Sequence, residues 1–394
     1  MSRRGAAPGR NPDAAWRLPA EVIGLAEGPA AADPRLFRAR TRGPFWDLLQ
    51  ELGITLLVTR EYEHLVLSLG TRAGRPAVSA LPLPHPSGLA VDRKRGIVHV
   101  ACTRNPNFVL DLHPAPRLLP RKDLPARPRP GGALVPVRAR FLPGSFYLHD
   151  LAFVGGRLHG NAVGINAVVR LEEGGETRAV WWPKSVESGG RLRADRNYLQ
   201  LNSIAAGPDL ARSFFTASAS RPSARRPGHR NFAVDRRGVL LSGATREPVA
   251  WGLTRPHSAR LHEGAVWVDN SGYGELWRRS GEAWETVARL PGWTRGLCFA
   301  GGVAFVGTSR VLPRFAHYAP GLTRGGSICG LHAVDTKSGK TLAALVWPSG
   351  DQLFAVEWLP AGGTASLPFD PPPAATARRE RALFYAFDTG RTRA

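Results

Sequence analysis

His149-Asp150-Leu151-Ala152-Phe153, then Gly155-Gly156, then Arg157-Leu158-His159-Gly160-Asn161 is one polar residue, a short apolar strand, a glycine turn and a second strand. The phrase returns as His257-Ser258-Ala259-Arg260-Leu261, Glu263-Gly264, Ala265-Val266-Trp267-Val268-Asp269. In both copies the second glycine, Gly156 or Gly264, stands seven residues after the histidine. Looser copies open at Ser87, Asn202 and Arg295. A hairpin phrase that recurs every few tens of residues predicts a β-propeller, because each copy needs its neighbours to bury its faces. The leading residue of each copy then begins the innermost strand of a blade, at one mouth of the central channel. Ser87, His149, Asn202, His257 and Arg295 therefore form a ring around one axis, and that ring is the candidate site.

Strand-like stretches outward from these phrases complete the count. Ile54–Thr59, His64–Leu69 and Ala77–Leu81 read as outer strands of a first blade that has no inner strand. Leu353 to Leu359 reads as an inner strand with no outer ones after it. Closure follows: the C-terminal strand completes the N-terminal blade and removes two exposed sheet edges. The expectation is an all-β, six-bladed β-propeller over residues 44–361, preceded by a disordered basic arm, 1–43, and followed by a Pro/Arg-rich tail, 362–394. One helix is predicted, with Phe45, Leu48, Leu49 and Leu52 at helical spacing.

The chain of 394 residues carries a net charge of +22. Five of its 53 basic residues are Lys, so the excess is almost wholly Arg. A GC-rich coding sequence produces that bias without selection for a nucleic-acid partner, and no aromatic-rich nucleic-acid motif accompanies the Arg clusters. Incidental adhesion to polyanions is the reading retained. Three widely spaced cysteines, Cys102, Cys298 and Cys329, argue for a reducing compartment. With no apolar leader and no apolar run of about 18 residues, the reading is a cytoplasmic protein without membrane contact.

At these phrases the chain resembles an uncharacterised family of bacterial conserved hypothetical proteins, a domain of unknown function expected to be propeller-like. The resemblance is carried by His149-Asp150-Leu151-Ala152, Leu201-Asn202, Arg255-Pro256-His257-Ser258, Trp267-Val268-Asp269 and Arg295-Gly296-Leu297. Pro86-Ser87-Gly88-Leu89-Ala90 and Cys329-Gly330 also fit, and the match spans residues 44–360. Ala355 stands where the family tends to have Asp. The resemblance implies the fold and brings no activity.

The residues themselves leave the chemistry open. His149 and His257 occupy equivalent places in alternate blades, within reach of one divalent ion such as Zn, Cu or Fe if both face inward. Otherwise each fixes a neighbouring blade's backbone. His85, two residues before Ser87, is a substitute third ligand. Asp150 either orients His149 or acts as a base, or it caps the start of its strand. Arg295 either meets an anionic substrate group or pairs with Asp150 or Glu357. Asn202, Ser87 and Arg255 are candidate ligand contacts. Two function classes remain: metal-assisted modification of a small molecule or peptide at the channel mouth, and a non-catalytic protein-binding scaffold. Oligomeric state is not legible.

Overall fold

Ile54–Arg60 is an unbroken run of buried residues, the pattern of a strand covered on both faces. It lies between Leu65–Arg72 and Val356–Pro360, and Arg75–Pro82 completes the sheet. The pairing runs from Ile54 opposite Pro360 to Val58 opposite Val356. The C-terminal strand is thus the inner strand of the first blade, as closure requires. Five more antiparallel sheets follow, each built on a four-strand meander, with inner strands Pro86–Asp92, Leu148–Val154, Leu201–Ala205, Pro256–His262 and Trp293–Ala300; in the second blade the strand Arg117–Leu119 is looped out of the sheet. This is a six-bladed β-propeller. The computed structural model describes residues 33–371, apart from 105, 120–131, 143, 145, 196, 224, 226–228, 230, 363–364 and 370, and also 386–388.

Two boundaries differ from the sequence expectation. The stretch read as an arm is structured at its end: Arg40–Arg42 pairs with Thr341–Trp347 and adds a fifth strand to the sixth blade. The outermost strand of that blade has free backbone donors and acceptors, and three residues suffice to pair with them. Before it, Pro34–Phe37 forms a 3-10 turn whose Leu36 O accepts from Arg60 Nη1 at 2.7 Å, and residues 1–32 of the predicted arm lie outside the described residues. The stretch read as a tail starts as packing material. Ala365 and Leu367 are buried, Leu367 N–H donates to Ser79 Oγ at 2.7 Å, and Ala80 and Phe369 form a bridge. The backbone of Ala386–Asp388 pairs with Arg117–Leu119. The helix forms at Phe45–Glu51 and buries Phe45 and Leu49 against the first and sixth blades.

The inner strands share one irregularity. Pairing slips at Leu148/Asp150, Leu201/Ser203, Pro86/Leu89, His257/Arg260 and Thr294/Leu297. These are bulges at the starts of five successive inner strands, and each contains or adjoins a ring residue. A bulge frees a residue from the ladder and re-aims its side chain. It also brings neighbouring inner strands together. A Cβ on Gly88 would lie 2.7 Å from Asp150 Cα, and one on Gly296, at φ +90°, would lie 2.9 Å from Val356 Cγ2. Only glycine allows both the approach and, at Gly296, the backbone angle. Short polar side chains then tie blade to blade: Ser87 Oγ donates to Leu148 O at 2.6 Å, and Ser203 and Ser258 accept from Ala259 and Gly296 N–H.

Candidate ligand site at the channel mouth

His149, His257 and Arg295 meet beneath one cavity of about 230 Å³ at the channel mouth. The two imidazole rings lie 6.5 Å apart between centroids and 25° from parallel. Phe354, at the equivalent place in the first blade, packs edge-on against His149 at 5.3 Å and face-on beneath the Arg295 guanidinium at 3.3 Å. The ring expected from the repeat thus closes through Phe354.

A second ring stands two residues earlier in each blade: His85, Tyr147, Gln200, Arg255, Trp293 and Gln352. All but His85 line the cavity. His85, Tyr147, Gln200 and Arg255 occupy four consecutive blades at φ of 47°, 49°, 51° and 53°. This left-handed region is uncommon for residues with a Cβ, at about 1–3 kcal/mol each, and its recurrence is a mark of a working surface. Sequence inspection found Arg255 and His85 here and missed Tyr147, Gln200, Trp293 and Gln352. Counting back two from each leading residue would have found them.

The cavity is cationic. Arg255 and Arg295 are 2% and 8% exposed, and burial pulls both guanidinium pKa values down to about 10, so both stay charged at neutral pH. Among the described residues the acids nearby make no ion pair with either guanidinium: Asp351 lies 3.9 Å from Arg310, and burial holds the carboxyl of Asp269 well above the usual carboxylate range. Asp150 faces Arg260, with Oδ2 2.9 Å from Nη1 and Oδ1 3.2 Å from Nη2. Glu357 holds Arg93 at 2.7 Å, and Glu61 lies 3.6 Å from Arg104. Arg295 feels the charge of Glu61, and with the Gln352 amide turned so that its oxygen faces Arg295 and its nitrogen faces Glu61 it bridges them, Arg295 Nη1 donating to Gln352 at 3.0 Å and Gln352 to Glu61 Oε2 at 3.2 Å. Arg295 Nε, also buried, has no hydrogen-bond partner among the described residues. Arg255 donates to Gln200 Oε1 and to Ser218 Oγ and stacks on Tyr318 at 3.8 Å.

Both imidazoles are neutral. Burial, and after it the positive charge of Arg295, holds His149 and His257 well below the usual histidine range; Asn202 beside His149 works weakly the other way. His149 keeps some surface open to the cavity although it lies deep beneath the mouth. His257 Nδ1 lies 2.9 Å from Arg255 O and 3.0 Å from Ser271 Oγ, and Ser271 spends its own proton on Thr294 O at 2.6 Å. A carbonyl can only accept, so Nδ1 carries the proton and Nε2 is left as an acceptor. The unfolded chain takes up protons near pH 6.5 that the folded one refuses, so the folded state loses stability as pH falls below that value. The expected slope is about 1.4 kcal/mol per pH unit for each imidazole. Chemical unfolding of the His149→Gln/His257→Gln double variant between pH 7 and pH 5 should therefore give a flatter profile than the parent. Parallel profiles would mean that the pair is not buried neutral.

Three candidates have structural bonding. Ser87 Oγ donates to Ala101 O and Leu148 O. Asp150 neither touches His149 nor lines the cavity; besides Arg260 its carboxylate takes Ile204 N–H at 3.0 Å and Leu151 N–H at 3.1 Å. Its expected base role gives way to capping, and the pairing of Asp150 or Glu357 with Arg295 gives way to Arg260 and Arg93. Asn202 Nδ2 donates to Pro256 O at 2.9 Å and Ser218 Oγ at 3.2 Å, holding the fifth blade to the fourth. His85 packs on the His64 ring at 4.4 Å and near Glu61.

A divalent metal does not find a complete donor set here. No group of three His, Cys, Asp or Glu among the described residues is placed to hold an ion. The two imidazoles are overlooked by the guanidiniums of Arg255 and Arg295, whose charge opposes a dication.

Comparison with known proteins agrees with the fold. The sequence model of a family described as a domain of unknown function (DUF4915) matches residues 43–366. No curated protein matches the chain. Among solved structures, the nidogen/laminin complex aligns at a TM-score of 0.52 with 10% identity, covering 79% of this chain and all of that one. A gluconolactonase from Xanthomonas campestris aligns at 0.43 with 16% identity, over 67% of this chain and 77% of that one. The calcium-binding protein regucalcin from Agrobacterium tumefaciens aligns at 0.42 with 11% identity, over 66% of this chain and 73% of that one. No helix among the described residues is long and apolar enough to cross a membrane.

Proposed function

The chain belongs to the DUF4915 family, and we propose that its channel mouth binds a small anionic molecule. The observation that carries this reading is the pair of buried guanidiniums, Arg255 and Arg295, neither of them in an ion pair with a carboxylate among the described residues. Burying a charge without a direct ion-pair partner costs free energy, and a ligand's anionic oxygens would offset that cost. A planar guanidinium offers a fork that fits carboxylate or phosphate oxygens. The neutral imidazoles beneath add acceptor nitrogens without adding repulsive charge. His257 Nε2 is suited to accept a hydrogen bond from a bound molecule, while burial and the charge of Arg295 oppose its protonation. A metal-assisted reaction has no complete donor set to support it, and no step is assigned to one.

Calorimetric titration of the full chain with acetate and with inorganic phosphate tests the reading. Arg255→Gln and Arg295→Gln should each weaken binding about 10- to 100-fold, the worth of a charge-assisted hydrogen bond. Affinities unchanged in both variants would overturn the site.

A further inference from the structure

We infer that the molecule bound at the channel mouth is an aromatic acid, a carboxylate or phosphate group carried on a single flat ring. This inference rests on the anion reading above and goes further by fixing what the rest of the ligand is. Three observations carry it.

The first is the wall. Tyr62, Tyr147, Trp293, Phe315 and Tyr318 all line the cavity. They come from separate parts of the fold: the hairpin after Arg60, the second ring, and the turn Pro313–Tyr318 that overhangs the mouth. Phe315 and Tyr318 stack at 5.4 Å and 18°, and Tyr318 and His257 each meet Trp293 at about 6 Å with tilted planes. Tyr147 holds its place at φ 49°, where glycine would be unstrained. A surface that served water or a purely polar ligand would gain nothing from these side chains.

The second is the way the cations are presented. Each guanidinium already has an aromatic ring against one face, Tyr318 at 3.8 Å for Arg255 and Phe354 at 3.3 Å for Arg295. With a face covered, what remains for a ligand is chiefly the N–H edge, which is the edge that grips acid oxygens. Anionic head and apolar body are therefore recognised by different parts of one small space.

The third is size. A cavity of about 230 Å³ holds about eight waters at liquid density. That is room within the walls for one substituted ring.

Calorimetry on the full chain with benzoate, cyclohexanecarboxylate, phenyl phosphate, inorganic phosphate and benzamide tests this. Benzoate should bind at least about tenfold more tightly than cyclohexanecarboxylate, and phenyl phosphate than inorganic phosphate, while benzamide binds far more weakly. The tighter of the two ring acids identifies the head group. Phe315→Leu, at a half-exposed position, should lower the affinity ratio of phenyl phosphate to inorganic phosphate; an unchanged ratio counts against the aromatic wall. If benzoate binds no more tightly than cyclohexanecarboxylate, and phenyl phosphate no more tightly than inorganic phosphate, while Arg255→Gln still weakens the acids, the aromatic inference fails and the anion reading stands. If none of the acids binds, or benzamide matches benzoate, both fail.

Discussion

Removal of residues 351–394 is expected to abolish cooperative unfolding. The strand Val356–Pro360 supplies the inner edge of the first blade, and Thr59 binds both Ala355 and Phe354 through backbone and side chain. Leu353, Phe354, Val356, Leu359 and Leu367 are each less than 5% exposed. Burying five such side chains contributes about 8–15 kcal/mol at the usual 1.5–3 per residue, as much as the whole net stability of a typical domain. Without the strand, Ile54–Arg60 becomes an open edge beside the channel and Ser309 loses Leu353 as its partner across the blades. Urea unfolding followed by tryptophan fluorescence should then show a broad transition of reduced amplitude. A sharp transition with an unchanged midpoint would show that the other blades hold the ring without closure.

The second large effect is expected at the pair that unites three blades inside the channel. Asp150, on the third blade, takes both N–H groups of Arg260 from the fifth and a backbone N–H of Ile204 from the fourth. Asp150 is 4% exposed. Arg260→Ala would leave that carboxylate buried against two backbone donors only. Removing one partner of a buried ion pair costs about 3–5 kcal/mol, because the stranded charge loses its compensation. Replacing both, as Asp150→Leu/Arg260→Met, should recover most of the loss. Equilibrium unfolding of the three variants measures this directly. An Arg260→Ala cost below about 1 kcal/mol would mean that water reaches the pair and the channel is wet at that depth.

The recurring phrases were enough to determine blade number, the closing strand and the ring of leading residues. A hairpin's alternation, its glycine turn and its spacing are local properties, and local properties are written in consecutive residues. The sequence also pointed to His149, His257 and Arg295 as one group, since equal places in successive repeats must surround one axis; Arg255, two residues before His257, stood outside that ring, and the fold buries it at the same mouth. What those residues do there was decided by contacts between blades. Whether Arg295 or Arg260 neutralises Asp150 depends on which guanidinium reaches the third blade, and neither periodicity nor composition encodes that distance. The same holds for Arg40–Arg42, whose strand exists because the sixth blade offers an edge, and for Tyr318, which meets Arg255 only because the turn Pro313–Tyr318 folds over the mouth. The second ring falls between the two cases. Its positions follow from the repeat by counting, but the left-handed backbone at His85, Tyr147, Gln200 and Arg255 and the cavity that the ring lines belong to the tertiary structure.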